Sequence, residues 1–506
     1  MTLIPAFGAR EAVRPRVRTL GALLWGAFAT LACDASEALA HPRLTVAPAA
    51  GLIDAPFHVV LEGVLPGSRV QISAARGDVS GRTWTAVGEY SADADGRVDI
   101  DAAPSLGGSY EGVSPHGLWC SAIPVAPDRL DAYLALLPQH PELGTAPTLD
   151  VKSVYTVRLV ARIDGRIIAT ATATRTYGAG IVAEEVSTAD GVRGRYFPPA
   201  AHQQVKIPVV VVAGSGGGLP EVQAALLASH GHPALAQGIF GYRDLPSTLR
   251  GIPLETFDAG ARWLEHRTGV RTVAIMGTSR GSEAAGLAAS YFPRDFSAAV
   301  VYVPSHLTNG AFGPGITDVV AAWTYRGKPL AADRGETDSN NADAALHSQR
   351  PPGFIGTPYY LNTWSDPAIA ARLGIPFERM SGPVLALGGG ADQMWPSFIG
   401  AAQIGRRLAA HGMAGRAEVH IYPGAGHLVS RVGSGGPFSS FVFHPVAKDF
   451  EATGGLPNAN CEGSYDAWDR VLRFLARNTP GARSTPGARS TSGARSTAVE
   501  ARLSSR

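Results

Sequence analysis

A serine lies between two glycines at residues 277–281 (Gly-Thr-Ser-Arg-Gly), and a serine in this pattern can attack an acyl carbon. The spacing Gly-x-Ser-x-Gly is typical of a nucleophile elbow, a sharp turn from a strand into a helix that exposes the serine hydroxyl. Glycines two before and two after the serine leave room for the bend. The apolar run at 273–276 indicates the strand, and the small residues at 282–289 are compatible with the helix. The sequence therefore predicts a nucleophile at Ser279.

The nucleophile requires a base and an acid from other parts of the chain. A serine hydroxyl reacts poorly at neutral pH unless a base takes its proton, and an acid must orient that base. In folds with such an elbow the acid and then the histidine follow later strands. Asp392 follows the apolar residues 384–388, and His427 follows residues 419–422. We therefore predict a catalytic triad of Ser279, Asp392 and His427.

Four other titratable residues are alternatives for these roles. His306, just after a predicted strand, and His444, in a late loop, are alternative bases. Glu283 and Asp366 are alternative acids. Glu283 lies one helical turn from Arg280, so an ion pair between these two side chains is the more plausible role for it.

A glycine-rich loop at residues 214–218 (Gly-Ser-Gly-Gly-Gly) precedes a predicted helix. The backbone N–H after the nucleophile, at Arg280, and N–H groups of this loop, at Gly216 and Gly217, are predicted to form the oxyanion hole. The loop lacks the Lys-Ser/Thr end of a P-loop and the spacing of a dinucleotide site. We therefore predict no nucleotide or other cofactor.

The elements that position these residues alternate between strand and helix, which is the signature of a mostly parallel sheet covered on both faces. The fold class predicted is a doubly wound α/β hydrolase over residues 181–478. Strands are predicted at 192–196, 208–213, 234–239, 273–276, 297–303, 384–388 and 419–422, and helices at 220–230, 254–267, 282–289, 397–411 and 466–477. A glycine-, proline- and polar-rich segment at 305–380 interrupts the alternation and is interpreted as a lid-like insertion.

The part of the chain before this domain, residues 41–180, has a different pattern. Short alternating strands, among them 57–62, 69–73, 155–162 and 167–174, are separated by turn residues with no helices between them. This spacing predicts an all-β, immunoglobulin-like sandwich. It contains no combination of acid, base and nucleophile, so we expect a structural or binding module.

The two ends of the chain are predicted to lie outside the folded domains. Residues 1–40 contain arginines, then the apolar stretch 20–32, then Ala-Leu-Ala, which is typical of a signal peptide cleaved near Ala40. The apolar stretch is too short to cross a bilayer core of ~30 Å, so export to the periplasm or the outside is expected, without a transmembrane segment. Residues 479–506 begin with three copies of Thr-Pro-Gly-Ala-Arg-Ser, with Ser492 in place of proline in the third, which predicts a disordered low-complexity tail.

Composition excludes several other classes of function. The 506 residues are 45% hydrophobic and 17% charged, with a formal net charge of +2, so nothing points to nucleic acid. The three cysteines show no metal-type spacing, and no metal site is predicted. Cys120 and Cys461 could pair in an exported protein, but we expect two free buried thiols.

Several motifs together resemble one known family, the type I acyl-CoA thioesterases and bile acid-CoA:amino acid N-acyltransferases. The similar segments span most of the chain after the leader and are 106–119 (LGGSYEGVSPHGLW), 214–221 (GSGGGLPE), 242–246 (YRDLP), 254–257 (LETF), the elbow and 466–468 (DAW). The resemblance implies an N-terminal β-sandwich and an α/β-hydrolase domain that cleaves fatty or bile acyl-CoA through Ser279, Asp392 and His427. The chain departs from the family in its leader, and in Arg280 and Ser282 where family elbows often have lysine and glycine.

These departures bear on the substrate, which we expect to be a small acyl thioester or ester. Family members that conjugate amines are similar but use cysteine as nucleophile, so the serine favours hydrolysis over transfer to an amino acid. An exported enzyme would meet little coenzyme A, so a carboxylesterase or lipase-like activity on oxygen esters is an alternative. A ligand-binding protein on a degenerate hydrolase scaffold is the non-enzymatic alternative. The insertion is expected to form the acyl pocket, with Arg243, Arg250 and Arg326 as candidates for binding coenzyme A phosphates. The sequence leaves the oligomeric state open.

Overall fold

The structure, a computed structural model, describes residues 41–124, 135, 136, 139, 150–178, 180–314, 316, 320–332, 353–432 and 441–481. The predicted leader at 1–40 and the tail from residue 482 lie outside these residues. So does the middle of the predicted insertion, residues 333–352.

The described residues between 41 and 178 form two facing sheets, in agreement with the predicted sandwich. The elements are β1 Arg43–Ala47, β2 Ala50–Leu52, β3 His58–Glu62, β4 Arg69–Gly77, β5 Thr83–Ser91, β6 Val98–Asp99, β7 Ser105–Leu106, β8 Glu111–Gly112, α1 Gly117–Cys120, β9 Val154–Ile163 and β10 Arg166–Thr176. One sheet has the order β1-β3-β6 and the other β2-β10-β9-β4-β5, with a short β7-β8 pair beside them. In β4 every second residue is buried, because the two faces of a strand point to the core and to solvent in turn. Side chains of both sheets meet in one core around the fully buried Trp84.

An eight-stranded sheet forms the centre of the second domain. Its strands are β11 Glu184–Ser187, β12 Arg193–Phe197, β13 Val209–Val212, β14 Ala234–Gly238, β16 Val273–Thr278, β17 Phe296–Tyr302, β20 Val384–Gly389 and β21 Ala417–Tyr422. They are arranged in the order β11-β12-β14-β13-β16-β17-β20-β21. The strands from β14 to β21 pair in parallel, while β11 and β12 add an antiparallel edge. All four residues of β13 are buried, as expected of a strand covered on both faces by helices.

The helices outside the segment 305–380 follow the predicted alternation, and one of them begins earlier than predicted. They are α2 Glu221–Ser229, α3 Glu255–Thr268, α4 Arg280–Tyr291, α5 Thr357–Ser365, α6 Pro367–Leu373, α7 Ser397–Ala410 and α8 Pro457–Arg477, with 3₁₀ turns at Phe377–Arg379, Ala414–Arg416 and His427–Ser430. Helix α8 begins at Pro457 and not at residue 466 as predicted. Its first turns bury small and polar residues, including Asn460 and Ser464, so they lack the apolar periodicity by which helices are recognised.

The described part of the segment 305–380 contains regular structure as well as loops. A small sheet joins β15 Ile252–Pro253, β18 Trp323–Tyr325 and β19 Lys328–Pro329. Helix α5 contributes Tyr360 and Trp364 to a separate apolar cluster with Leu307 and Trp395. The last two strands, β22 Phe441–Phe443 and β23 Phe450–Ala452, pair with each other. In the described part of the chain, no helix combines the length and apolar composition needed to span a membrane.

Cys120 and Cys461 form a disulfide, so the prediction of two free thiols is wrong. Their Cα atoms are 5.9 Å apart although 341 residues separate them in the chain. Helix α1 of the sandwich packs against helix α8 of the hydrolase domain, and this contact places the two sulfurs together. The pairing depends on domain packing, which leaves no local signal in the sequence.

Polar side chains continue the contact around this disulfide. The Ser114 hydroxyl donates to Glu462 at 2.6 Å, and the His116 ring nitrogen Nδ1 lies 2.7 Å from the same carboxylate. Nearby, Asp54 contacts His230 Nε2 at 2.6 Å and accepts from the Trp468 indole at 2.7 Å. We call this contact, with the disulfide, the domain seam.

Candidate active site

Ser279 lies at a sharp turn between β16 and α4, as the nucleophile elbow requires. Its φ is 57° and its ψ is −123°, a left-handed backbone conformation that is strained for a residue with a side chain. A Cβ atom on Gly277 would overlap the carbonyl oxygen of Gly281, and one on Gly281 would lie 2.6 Å from the carbonyl oxygen of Val212. Glycine is therefore required at both positions, and the Gly-x-Ser-x-Gly spacing has a direct steric cause.

His427 and Asp392 lie together at the carboxyl ends of the neighbouring strands. Nδ1 of His427 is 2.9 Å from Oδ2 of Asp392, and both side chains are buried. Hydrogen bonds from the Ser397 hydroxyl (2.6 Å) and the Met394 N–H (3.0 Å) hold the carboxylate in place. With its Nδ1 proton donated to Asp392, the imidazole presents Nε2 as an acceptor. Within the described residues Nε2 has no hydrogen-bond partner.

Ser279 and His427 line the same cleft, which has a volume of about 260 Å³. Gly214 forms one wall, because a Cβ atom there would lie 3.2 Å from Cβ of Ser279. Phe443 and His444 also line the cleft. None of the described residues of the segment 305–380 lines this cleft, although the insertion is predicted to form the pocket. The late segment around β22 takes that place.

The predicted oxyanion donors do not all fit equally well. The N–H of Arg280 opens helix α4 beside Ser279, and Gly216 lines the cleft. The N–H of Gly217 instead donates to the carbonyl of Gly214 at 3.1 Å, which closes a turn inside the loop. The geometry therefore favours Arg280 and Gly216 over Gly217 as donors.

The alternative acids have structural partners elsewhere. Glu283 is fully buried and pairs with Nε of Arg280 at 2.9 Å, as the helical spacing predicted. It also accepts from the Asn309 N–H and the Trp323 indole, both at 2.7 Å. Burial raises the pKa of Glu283, and these partners oppose the rise. Asp366 caps helix α6 by accepting from its backbone N–H groups. Neither residue lines the cleft.

The alternative bases differ from each other. His306 is buried against the edge of Trp364 outside the cleft, and burial lowers its pKa to about 4. His444 lines the cleft but contacts the Ser215 hydroxyl, with Nε2 and Oγ 2.9 Å apart. The structure thus places only His427, of the three histidines considered, against the predicted acid.

Arg431 also lines the cleft, and no motif in the sequence had indicated a role for it. It lies just after the 3₁₀ turn that carries His427, and its burial lowers the pKa of the guanidinium. The three arginines proposed from sequence do not line the cleft, and Arg243 pairs with Glu185 at 3.1 Å. The only feature of the sequence that could have indicated Arg431 is its position four residues after the predicted base.

One group of side chains has the composition of a metal site, but its chemistry does not fit. The ligand atoms of His116, Cys461 and Glu462 lie within 4.8 Å of one another. The sulfur of Cys461 is in the disulfide and offers no thiolate, while His116 and Glu462 are hydrogen-bonded to each other. This group belongs to the domain seam.

A largely parallel sheet, a serine at a strained strand-to-helix turn and a preceding β-sandwich together define an α/β hydrolase with an N-terminal all-β domain. The N-terminal region of the acyl-CoA thioester hydrolases and BAAT matches residues 54–188, and the C-terminal region of the same proteins matches residues 252–480. The two regions together cover more than half of the chain, which belongs to the acyl-CoA thioester hydrolase/BAAT family. The family is enzymatic, and the chain is by class a thioester hydrolase. This membership argues against the non-enzymatic alternative.

Relatives that are named as thioesterases and relatives that are named as amino acid N-acyltransferases are both similar to the chain. Acyl-coenzyme A thioesterase 6 of Homo sapiens is 27% identical over 437 residues, which is 85% of this chain and 94% of that protein. Acyl-coenzyme A amino acid N-acyltransferase 1 of Mus musculus is 26% identical over 449 residues, 86% of this chain and 97% of that protein. Among solved structures, the acylaminoacyl peptidase of Pyrococcus horikoshii is 12% identical with a TM-score of 0.37, over 84% of this chain and 59% of that chain.

Proposed function

We propose that the protein hydrolyses acyl thioesters through an acyl-enzyme on Ser279, with His427 as general base and Asp392 as the residue that orients it. The arrangement of His427 carries the proposal: Asp392 holds Nδ1, while Nε2 is left without a partner among the described residues, in the cleft that Ser279 also lines. A general base needs a ring nitrogen whose lone pair is available to take the proton of the nucleophile.

In the first step, His427 Nε2 takes the Ser279 proton as Oγ bonds to the acyl carbon. The carbonyl oxygen becomes an oxyanion, and the backbone N–H groups of Arg280 and Gly216 are proposed to stabilise it. The carbon–sulfur bond then breaks and the thiol leaves with the proton from His427. Water repeats the sequence on the acyl-enzyme, so that the carboxylic acid is released and Ser279 is restored.

Serine as the nucleophile favours hydrolysis over transfer to an amino acid. The acyl-enzyme is an oxygen ester, which reacts less readily with amines than the thioester that a cysteine would form. We therefore expect the carboxylic acid as the major product and propose that Ser279→Cys shifts products toward the amide. Glycine or taurine conjugates as the major product of the unaltered enzyme would contradict this assignment.

The site of action is proposed to lie outside the cytoplasm, following the predicted leader. The disulfide between Cys120 and Cys461 supports this proposal, because such bonds persist in oxidising compartments. Coenzyme A is scarce there, so the natural substrate is proposed to be another acyl thioester or ester. Arg431 supplies a positive charge at the cleft that suits an anionic group on such a substrate.

Replacement of the nucleophile tests the mechanism. Ser279→Ala is expected to lower kcat/KM for an acyl thioester by several orders of magnitude and to abolish labelling by a fluorophosphonate probe, which reacts only with an activated serine. His427→Ala is expected to do the same. His306→Leu is the matched control, since this histidine is buried outside the cleft. Activity of the Ser279 variant within about tenfold of the unaltered enzyme would refute the mechanism.

The leaving group is tested by comparing one acyl chain on coenzyme A and on N-acetylcysteamine. Without a dedicated coenzyme A site, the two kcat/KM values are expected to be nearly equal. A preference for the coenzyme A ester above about 100-fold, ~2.7 kcal/mol of transition-state binding, would show such a site and overturn the extracytoplasmic substrate proposal.

A further inference from the structure

A second serine–histidine contact lies in the cleft that holds Ser279. Ser215 belongs to the glycine-rich loop, and its Oγ is 2.9 Å from Nε2 of His444. Both residues line the cleft together with Ser279 and His427. The backbone next to Ser215 is close to the nucleophile, since a Cβ on Gly214 would be 3.2 Å from Cβ of Ser279.

The position of the proton on His444 follows from its other nitrogen. Nδ1 of His444 accepts hydrogen bonds from the N–H groups of Val446 (3.2 Å) and Ala447 (3.0 Å). A ring nitrogen that accepts must carry a lone pair, so in the neutral ring the proton is on Nε2. Nε2–H therefore donates to Ser215, and Ser215 is the acceptor in this contact.

The neutral form of His444 is maintained by its surroundings. Burial, together with the neighbouring charges of Arg431, His427 and Lys448, lowers the pKa of His444 to about 4. His444 is 4% exposed and packs edge-on against Phe312. Its tautomer is therefore the same throughout the neutral pH range.

The hydroxyl proton of Ser215 remains available for a second hydrogen bond. Because Oγ accepts from His444, its own O–H is directed away from that ring, and no described residue accepts from it. This resembles the environment expected of an oxyanion donor, which must be fixed in place but unused before the reaction. It also supplies a donor in the loop where the N–H of Gly217 is already used.

We propose that the Ser215 hydroxyl, oriented by His444, donates a hydrogen bond to the oxyanion formed when Ser279 attacks the substrate. Ser215 is then a catalytic residue, and His444 is a positioning residue that fixes the direction of the donor. The inference rests on the proposed function, because it requires an acyl carbonyl at Ser279.

Removal of the Ser215 hydroxyl tests its proposed role as an oxyanion donor. Ser215→Ala is expected to lower kcat/KM at least about tenfold, mostly through kcat, and to weaken a trifluoromethyl ketone inhibitor by a similar factor. Such a ketone forms an oxyanion on the nucleophile, so its binding reports the donor directly. Ser215→Thr, which retains a hydroxyl, is expected to recover most of the loss. Ser290→Ala, a buried serine outside the cleft, is the control and should leave both values unchanged.

Two variants of His444 test its proposed role in positioning the Ser215 hydroxyl. In His444→Asn the side-chain oxygen still accepts from the two N–H groups but the chain is too short to reach Ser215, whereas His444→Gln reaches Ser215 with an amide N–H. A loss of several-fold in kcat is expected for Asn, a smaller loss for Gln, and no further loss when His444→Asn is added to Ser215→Ala.

The outcomes distinguish this inference from the proposed function. Ser215→Ala within twofold of the unaltered enzyme, with Ser279→Ala inactive, overturns the role of Ser215 alone. Losses from Ser215→Ala and His444→Asn that multiply in the double variant overturn the positioning role of His444. An active Ser279→Ala variant overturns the proposed function and this inference together.

Discussion

The cleft and the domain seam are held together in different ways. Around Ser279, close approaches of backbone to backbone determine the geometry, and glycines permit them: the elbow leaves no room for a Cβ at residue 277 or 281. At the domain seam, polar side chains and a disulfide add to an apolar core shared by the two domains, as Glu462 does with Ser114 and His116. The elbow therefore has almost no steric tolerance, whereas we expect that contacts at the domain seam can be lost one at a time.

The largest effect is expected from Gly281→Ala. The added methyl group would lie 2.6 Å from the carbonyl oxygen of Val212 and overlap that of Ala213, so β13 and α4 would have to separate. We expect a loss of kcat/KM above about 1,000-fold or failure to fold, since strain and overpacking of this kind cost several kcal/mol. Activity and the thermal midpoint measure it.

Gly415→Ala is the matched control, because nothing lies within 4 Å of the place its Cβ would occupy and its φ is ordinary. It is expected to change activity by less than twofold. If Gly281→Ala retained full activity, the steric explanation of the elbow would be wrong, and the contrast with the domain seam would lose its basis.

An intermediate effect is expected from replacing both cysteines of the disulfide with alanine. Loss of a cross-link over a long loop typically lowers the free energy of unfolding by about 2–5 kcal/mol. Neither cysteine lines the cleft, so kcat/KM is expected to stay within threefold. Chemical denaturation with and without reductant measures the change, and the reductant should act only on the unaltered protein. A drop in kcat/KM as large as the loss for Gly281→Ala would show that the seam and the cleft are not separable.

The smallest effect is a loss of stability in acid. The pH range of this loss is expected to differ between a buried histidine of the hydrolase domain and a carboxylate of the domain seam. Burial lowers the pKa of His232, His306 and His444 to about 4, below the ~6.5 of an unfolded chain. The folded state therefore resists protons that the unfolded state binds, so the free energy of unfolding falls as the pH drops from 6.5 to 4. The free energy of unfolding lost between pH 7 and pH 5 is expected to be about 2 kcal/mol smaller in His306→Leu than in the unaltered protein, as measured by urea unfolding.

A carboxylate of the domain seam provides the comparison. Burial alone would raise the pKa of Glu462, but hydrogen bonds from His116 and Ser114 outweigh it and hold the pKa below the usual value. Its contribution is complete above pH ~4.5 and is lost only as the pH falls further. Glu462→Gln is thus expected to lower stability equally at pH 7 and pH 5. An unchanged pH dependence in His306→Leu would contradict the assignment of this loss to the buried histidine.

The elbow and its two partners could be predicted because each follows its own strand. Parallel strands end at one edge of the sheet, so Ser279, Asp392 and His427 converge wherever the strands are placed correctly, and periodicity places them within a few residues. The contact between His427 and Asp392 is then a consequence of topology.

Other features carry no local signal. The pairing of Cys120 with Cys461 depends on how two domains pack, and the early start of α8 is hidden by buried polar residues such as Asn460. Residues around β22, among them Phe443 and His444, line the cleft, and no periodicity in the sequence indicates this placement. The same holds for the partnership of Ser215 with His444.

The disulfide also changes the covalent connectivity of the molecule. Residues 120–461 form a closed ring of chain, with the sandwich strands β1 to β8 on one tail and the end of α8 on the other. Ser279, Asp392 and His427 all lie in that ring. A single cut by a protease anywhere within it opens the ring but releases no fragment, so the two pieces would separate on a gel only after reduction. For a protein proposed to work outside the cytoplasm, this connectivity allows a nicked chain to keep all parts of its cleft in one molecule.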